Sequence, residues 1–350
     1  MKYNFLVFLG RFQPFHNEHK DNVEKALLLS EKVIIGIGSS NIARSPKNPW
    51  TFDERKKMIL ESFNKAKRER LIVIGIPDLM YQNEQWCSDT QKLVHQAVLQ
   101  NIEGNTAHNY LSGFQDQKLG IIGCLKDNSS FYLKLFPQWK LEELPYKNNL
   151  DATVIRKKFF ESKWFKDDVP RGTFNVLDQM DLTVFEFIKD EIQSYQKYKD
   201  IWSSAPYPPT FVTVDSCVIQ SGHILLVKRK FTPGKGLYAL PGGFLNQDET
   251  IETAMIRELR EETGLKVPEQ VLIGSITKSM VFDDPNRSLR GRTITHAYLI
   301  HLKTGFDLPH VRGQDDAEKA FWMPLSEFHM NENLFFEDHQ FIIRKLIADL

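Results

Sequence analysis

The chain has 350 residues, with 45 Lys plus Arg balanced by 45 Asp plus Glu, so its formal charge is zero. Hydrophobic residues make up 41% and charged residues 26%, the mix of a soluble globular protein, which sets aside disorder, collagen and coiled coil. A chain of this length is expected to form about two domains, and without an excess of basic residues no nucleic-acid partner is expected.

In chain order, short apolar runs at Phe5–Leu9, Val33–Ile37, Leu71–Ile76 and Leu119–Gly123 are bounded by Gly, Pro or charge. Runs that short predict buried parallel strands. Asn17–Ser30, with Val23, Ala26, Leu27 and Ser30 on one face, predicts a helix between the first two. The strand–helix–strand rhythm implies an N-terminal doubly wound, Rossmann-like α/β domain that binds ligands at the carboxyl ends of its strands. Asp181–Trp202 is a further predicted helix, with Phe185, Ile188, Ile192 and Tyr195 at helical steps. After it, S-S-A-P-Y-P-P-T (203–210) cannot continue a helix and predicts an extended linker. Beyond it, β-rich runs at Phe211–Ile219, Ile224–Lys228 and Ile294–His301 surround one strong helix, Glu249–Thr263, and a short helix is expected at Glu337–Asp349. The second half therefore reads as α+β, giving domains at 1–202 and 211–350.

Cys87, Cys124 and Cys217 are odd in number and form no C-x-x-C pair, so neither a disulfide framework nor a structural zinc site is expected. No run approaches the ~20 apolar residues of a membrane span. The apolar run at Phe5–Leu9 is too short for a secretory leader. A cytoplasmic protein without a membrane partner is expected, and a homo-oligomer is compatible with this composition.

Glu258, Glu261 and Glu262 stand at i, i+3 and i+4 of the predicted helix and share one face. Their mutual repulsion is relieved if a hard cation such as Mg²⁺ or Mn²⁺ binds among them. Such ions accept carboxylate and phosphate oxygens and lower the pKa of bound water. Pro241-Gly242-Gly243 supplies a tight turn before the helix, and Gly264 a left-handed C-cap after it. The full stretch G-F-L-N-Q-D-E-T-I-E-T-A-M-I-R-E-L-R-E-E-T-G-L (243–265) resembles the Nudix box at every fixed position: Gly243, Glu249, Arg257, Glu258, Glu261, Glu262 and Gly264, with Leu259 and Leu265 apolar. The resemblance implies a metal-dependent hydrolase of nucleoside diphosphates, with Glu258, Glu261 and Glu262 on the metal and Arg257 paired with Glu249. G-L-Y-A-L-P-G-G-F (236–244), D-D-P-N-R-S-L-R-G-R (283–292) and D-D-A-E-K-A-F-W (315–322) resemble the ADP-ribose branch. There Arg287, Arg290 and Arg292 are candidates for gripping phosphate, and Asp315, Asp316 or Glu318 for the general base.

Residues 10–19, G-R-F-Q-P-F-H-N-E-H, follow the first strand and open the first helix, the setting in which phosphate meets free backbone N–H groups and a positive helix end. His16 and His19, at i and i+3, can present imidazoles toward one anion. The motif resembles the H-x-G-H signature of nucleotidyltransferases, in the G-R-F-Q-P-x-H form of archaeal-type nicotinamide-mononucleotide (NMN) adenylyltransferases. By that resemblance His16, His19 and Arg11 are catalytic, and Gly10, Phe12, Gln13, Gly123, Thr153 and Arg156 bind ATP. Gly38, Ser39, Asn83 and Trp86 bind the mononucleotide, near Asp78 and N-P-W-T-x-x-E-R (48–55). Lys126, Asp127 and S-S-F-Y (129–132) align as well. Two positions depart from the pattern: Glu18 replaces the glycine of H-x-G-H, and Asp151-Ala152 replaces a small hydroxyl or glycine pair.

Together the resemblances imply a bifunctional enzyme acting on ATP, NMN and ADP-ribose, with Mg²⁺ or Mn²⁺ used in both domains. One rival keeps the transferase fold with another phosphate acceptor, such as pantetheine phosphate, FMN or a choline-type phosphate. A second rival makes the Nudix half a non-catalytic ADP-ribose sensor.

Overall fold

Strands that are apolar on both faces need a layer of helices on each side, and the N-terminal half meets that need. The computed structural model describes residues 1–102, 117–125, 128–145, 150–305 and 307–350. Five strands, β1 (Tyr3–Gly10), β2 (Ser30–Ile37), β3 (Leu71–Gly75), β4 (Leu119–Gly123) and β5 (Lys140–Glu143), form one sheet in the order β3-β2-β1-β4-β5. Every pairing is parallel. Alternation along β1 sends Leu6 and Phe8 to a core shared with Val23, Ala26 and Leu27 of α1 (Asn17–Leu29) and Met58 and Ile59 of α2 (Phe52–Glu61). Val7 and Leu9 join the opposite core, with Val94 and Val98 from a helix at Asn83–Leu99. A short helix, α3 (Lys65–Arg68), precedes β3, so the helix at Asn83–Leu99 is α4. Chain order reverses at β1, which lies between β2 and β4. The topological crevice therefore opens beyond Gly10, Gly38 and Gly123.

The expected strands fall within a few residues of their predicted bounds, whereas β5 was missed. Its sequence, K-L-E-E, is an edge strand with partly exposed residues and carries no apolar run. Two helices, α5 (Ala152–Phe160) and α6 (Arg171–Asp178), follow β5, and α7 (Leu182–Ile201) comes next.

The chain divides into two compact units, Met1–Glu186 and Phe187–Leu350, so the division falls inside α7 and ahead of the proline-rich segment. The second unit contains β6 (Thr210–Gln220), β7 (His223–Arg229), β8 (Tyr238–Ala239), β9 (Gly242–Phe244), α8 (Ile251–Thr263), α9 (Glu269–Gly274), β10 (Ile276–Phe282), β11 (Arg292–His301), β12 (Ala317–Pro324), α10 (Leu325–Met330) and α11 (His339–Leu346). Its sheet runs β10-β11-β6-β7-β12, with β8 on β7 and β9 on β6. The β11–β6 pair is parallel and its neighbours antiparallel, a mixed sheet. Ala254, Met255 and Leu259 of α8 pack on Val214, Val218, Leu225 and Ile300 of the sheet. Thr250 caps α8 by accepting from Thr253 N, and Gly264 ends it at φ 61°. Among the described residues, no helix is long and apolar enough to cross a membrane.

Candidate active sites

In the first unit, β1 delivers Gly10 and Arg11 to the crevice, and Phe12 then turns through φ 52°. Phe12, Gln13, Phe15 and His16 are all buried, so Arg11 is the exposed residue of this turn. His16 is the N-cap of α1, and its N–H donates to Nδ1 of His19 at 3.3 Å. The two imidazoles stack with centroids 3.6 Å apart. Phe12 meets His19 edge-on at 5.0 Å and Phe15 stacks on it at 5.7 Å. Burial, with the nearby His16 adding, holds the His19 pKa well below the usual imidazole value. A neutral ring whose Nδ1 accepts a bond carries its proton on Nε2, which is then a donor.

Gln13, expected at ATP, has its side-chain amide engaged elsewhere: Nε2 donates to Trp50 O at 2.8 Å and Oε1 accepts from Trp50 N at 3.1 Å. Arg156 Nη1 reaches the backbone oxygen of Gln13 at 2.5 Å and Nη2 reaches Thr153 Oγ1 at 3.1 Å. Burial and the nearby Arg11 charge lower the Arg156 pKa to about 10. Asp151, one of the departures from the family pattern, is the α5 N-cap and accepts from Thr153 N at 2.6 Å. Glu18 sits in the first turn of α1, where an acid suits the helix dipole.

Across the crevice, Gly38 N bonds to Gly10 O at 2.9 Å and ties β2 to β1. Ser39, at φ 52°, gives both its N–H and its hydroxyl to Asp78, at 3.1 and 2.7 Å. Asn83 is exposed at the start of α4, and the half-buried Trp86 ring lies 5.9 Å from Phe136. Gly123 ends β4, where a Cβ would come within 2.9 Å of Leu133. Lys126 and Asp127 lie outside the described residues, as does the Ser129 side chain. Arg55, within N-P-W-T-x-x-E-R (48–55), has no role in the sequence pattern alone. It is 1% exposed and donates to the carbonyls of Arg11 and Gly38 at 2.7 Å each, Ser39 at 3.1 Å and Thr51 at 3.2 Å. This one guanidinium fastens together the loops that end β1 and β2.

In the second unit, Arg257 Nε and Nη2 grip both oxygens of Glu249, at 2.9 and 2.6 Å, and Nη2 also reaches Phe244 O. Its Nη1 contacts Glu258 Oε1 at 2.8 Å and Glu261 Oε2 at 2.9 Å. Arg257 holds the Glu249 carboxyl well below its usual range. Glu262 is 6% exposed and accepts from Gly242 N at 3.0 Å. Burial raises its pKa to about 8, with Glu258 adding and the Gly242 bond opposing. Gly243 leaves the room that Glu258 occupies, since a Cβ there would lie 2.4 Å from Oε1.

No set of three potential metal ligands already converges among the described residues, because Arg257 holds two of the carboxylates. The donor set nonetheless fits a hard divalent ion. It consists of three carboxylates on one helix face, one of them buried with its charge compensated mainly by a backbone N–H.

The three predicted phosphate arginines separate. Arg287 is engaged within the protein: its side chain is 3% exposed and makes a two-pronged pair with Asp338, both bonds 2.9 Å. Burial of the loop under α11 is the reason. Arg290 lies over Phe244 at 5.2 Å and pairs with Glu337 at 3.3 Å, and the more exposed Arg292 faces Asp283. Among the candidate bases, Glu318 pairs with Lys228, whereas the charge of Asp315 bears on Glu258.

Comparison with known proteins agrees with the two folds. The cytidylyltransferase-like family model matches residues 7–98, and the NUDIX domain model matches 209–346. The chain is 37% identical over 177 residues to the nicotinamide/nicotinic acid mononucleotide adenylyltransferase of Acinetobacter baylyi, covering 50% of this chain and 86% of that one. It is 35% identical over 148 residues to the ADP-ribose pyrophosphatase of Methanocaldococcus jannaschii, covering 42% and 79%. The crystal structure of a bifunctional NMN adenylyltransferase/ADP-ribose pyrophosphatase from Francisella tularensis, complexed with AMP and manganese, superposes with a TM-score of 0.88 at 36% identity and covers 99% of both chains. With the crevice motif and the carboxylate helix both in place, the chain belongs to the family in which an NMN adenylyltransferase domain is joined to a Nudix domain of the ADP-ribose pyrophosphatase type.

Proposed function

We propose that the chain is a bifunctional enzyme of NAD metabolism. Its first unit transfers the adenylyl group of ATP to NMN, giving NAD and pyrophosphate. Its second unit hydrolyses ADP-ribose to AMP and ribose 5-phosphate with a divalent metal. The observation that carries this reading is similarity over the whole chain to the bifunctional NMN adenylyltransferase/ADP-ribose pyrophosphatase of Francisella tularensis.

In the transfer, an oxygen of the mononucleotide 5′-phosphate attacks the α-phosphorus of ATP. The bond to the bridging oxygen breaks in line, and pyrophosphate leaves. Little covalent work falls to the protein, which positions the reactants and stabilises charge. The Nε2–H of His19, with His16, faces the transferring phosphate. Arg11, Thr153 and Arg156 face the β- and γ-phosphates, and the Gly10–Gln13 backbone lines the floor. Gly38 and Ser39 close the opposite wall, with Asn83 and Trp86 toward the nicotinamide. A ring of that kind over a pyridinium contributes ~0.5–2 kcal/mol.

In the hydrolysis, Glu258, Glu261 and Glu262 would hold Mg²⁺ or Mn²⁺, which supplies a hydroxide near neutral pH and neutralises diphosphate charge when bound. Arg257 stays on Glu249 and keeps the turn and helix rigid. Arg290 and Arg292 hold the substrate phosphates, and Asp315 takes the proton. Free cysteines throughout agree with a cytoplasmic setting.

His16→Ala and Glu262→Ala test the reading. The first loses adenylyl transfer by at least about 100-fold and keeps ADP-ribose hydrolysis, and the second does the reverse. Either substitution abolishing both activities in folded protein refutes the two-site assignment. Chromatography of a reaction with ATP, Mg²⁺ and equal NMN and nicotinic acid mononucleotide identifies the acceptor, with NAD the product expected first.

A further inference from the structure

Helix α7 precedes the Nudix match, which begins at residue 209, yet one of its faces is built into the second unit. Glu191, Tyr195 and Tyr198 stand at i, i+4 and i+7, on a single helix face. Glu191 is 3% exposed, a burial that an acid tolerates only when its oxygens are satisfied. Both oxygens accept from Gly234 N, at 2.8 and 3.0 Å.

Gly234 belongs to the loop that returns on Arg229. Arg229 Nε donates to Pro233 O at 2.9 Å, and Gly236 N donates to Arg229 O at 2.8 Å. The half-buried Arg229 guanidinium lies 4.2 Å from the Phe336 centroid, within electrostatic reach of Arg290, Glu337 and Glu262. Gly234, at φ 80°, passes so close to that ring that a Cβ would lie 2.2 Å from it. Tyr195 is buried, within electrostatic reach of Glu337, Glu191, Arg290 and Arg229. The Tyr198 ring stacks on Phe244 at 6.3 Å, and Arg290 lies over the same Phe244. The helix face thus braces Arg229, which is within electrostatic reach of Glu262, and the Phe244 ring that Arg290 covers.

We propose that Glu191, Tyr195 and Tyr198 are positioning residues of the hydrolase site, holding Arg229 and Arg290 where they receive the diphosphate of the substrate. The proposal rests on the reading of the second unit as an ADP-ribose hydrolase, and it assigns Arg229 to that site as well. A helix outside the Nudix match then sets how tightly the substrate is held.

The test uses the full chain, with ADP-ribose hydrolysis in Mn²⁺, thermal unfolding, and adenylyl transfer as the internal control. Glu191→Ala raises the KM for ADP-ribose roughly tenfold while kcat stays within about twofold, the signature of lost ground-state binding. Glu191→Gln keeps an oxygen for Gly234 N–H and restores most of the affinity. Tyr198→Ala, at a half-buried position, raises KM in the same direction and decides the matter if Glu191→Ala does not fold. Transfer activity stays at the wild-type level throughout. A wild-type KM in folded Glu191→Ala or Tyr198→Ala overturns the proposal, as does a fall in kcat that merely follows the folded fraction. Wild-type protein that releases no AMP would instead overturn the hydrolase reading itself.

Discussion

Replacing Gly243 by alanine separates the chemistry of the carboxylate helix from its folding. The added Cβ would lie 2.4 Å from Glu258 Oε1, 2.5 Å from its carboxyl carbon and 2.7 Å from Oε2. Ordinary contact begins at about 3.4 Å, so the carboxylate must retreat by about 1 Å, the difference between 3.4 and 2.4 Å. Gly243 is not at positive φ, and the obstructing group is the end of a flexible side chain. Folding therefore loses only ~1 kcal/mol, a fall in Tm of about 2–4 °C. A 1 Å displacement of an oxygen proposed to hold the metal is far more costly to the reaction, ~100-fold in rate. AMP release from ADP-ribose, calorimetry and adenylyl transfer on one preparation check all three expectations, the last being no change. The neighbouring Gly242 supplies the contrast: a Cβ there would lie 2.1 Å from Val214 O, a backbone atom that cannot step aside. Gly242→Ala loses stability as well as hydrolysis. Gly243→Ala protein that hydrolyses at more than half the wild-type rate would refute the reasoning, because Glu258 would then work without its observed position.

Arg287→Ala removes the two-pronged ion-pair partner of the buried Asp338 carboxylate, so we expect about 3–5 kcal/mol of destabilisation. Denaturant unfolding measures it, and a KM effect without loss of stability would restore Arg287 to the substrate. His339 accepts from Leu240 N at 3.1 Å, and burial lowers its pKa from 6.5 to about 4. The unfolded chain then binds the proton first, so stability falls as pH drops from 6.5 toward 4, by about 3 kcal/mol (2.5 units at 1.36 each). His339→Gln removes that component, and wild-type and variant unfolding curves that stay parallel from pH 7 to 4 would sink the idea. Glu18→Gly removes a charge beside the expected triphosphate and a favourable first-turn acid, so kcat/KM for ATP rises while α1 loses ~1–2 kcal/mol. A lower kcat/KM in folded protein would mean that Glu18 serves the reaction.

What could be read from the sequence divides along a physical line. Residues that meet phosphate or metal are constrained locally, because backbone N–H groups at a helix start, or carboxylates one turn apart, exist only at fixed short spacings. The crevice motif at 10–19 and the helix at 251–263 were therefore recognisable, and so was the Arg257–Glu249 pair eight residues apart. Gln13 and Arg287 show the limit of that logic. Each stands in the right motif, yet a partner far away in the chain, Trp50 for one and Asp338 for the other, claims the side chain. Arg55 had a faint signal: it follows the Thr51–Glu54 capping box and shares a helix face with Met58 and Ile59, where an arginine must find buried acceptors. Besides the local Thr51, those acceptors are carbonyls at positions 11, 38 and 39, which no local pattern announces. Glu191 is the extreme case, a lone acid on a predicted helix whose partner lies 43 residues on. Long-range hydrogen bonds carry no periodicity, so the groups that touch substrate can be recognised from sequence while those that aim them emerge only from the folded chain.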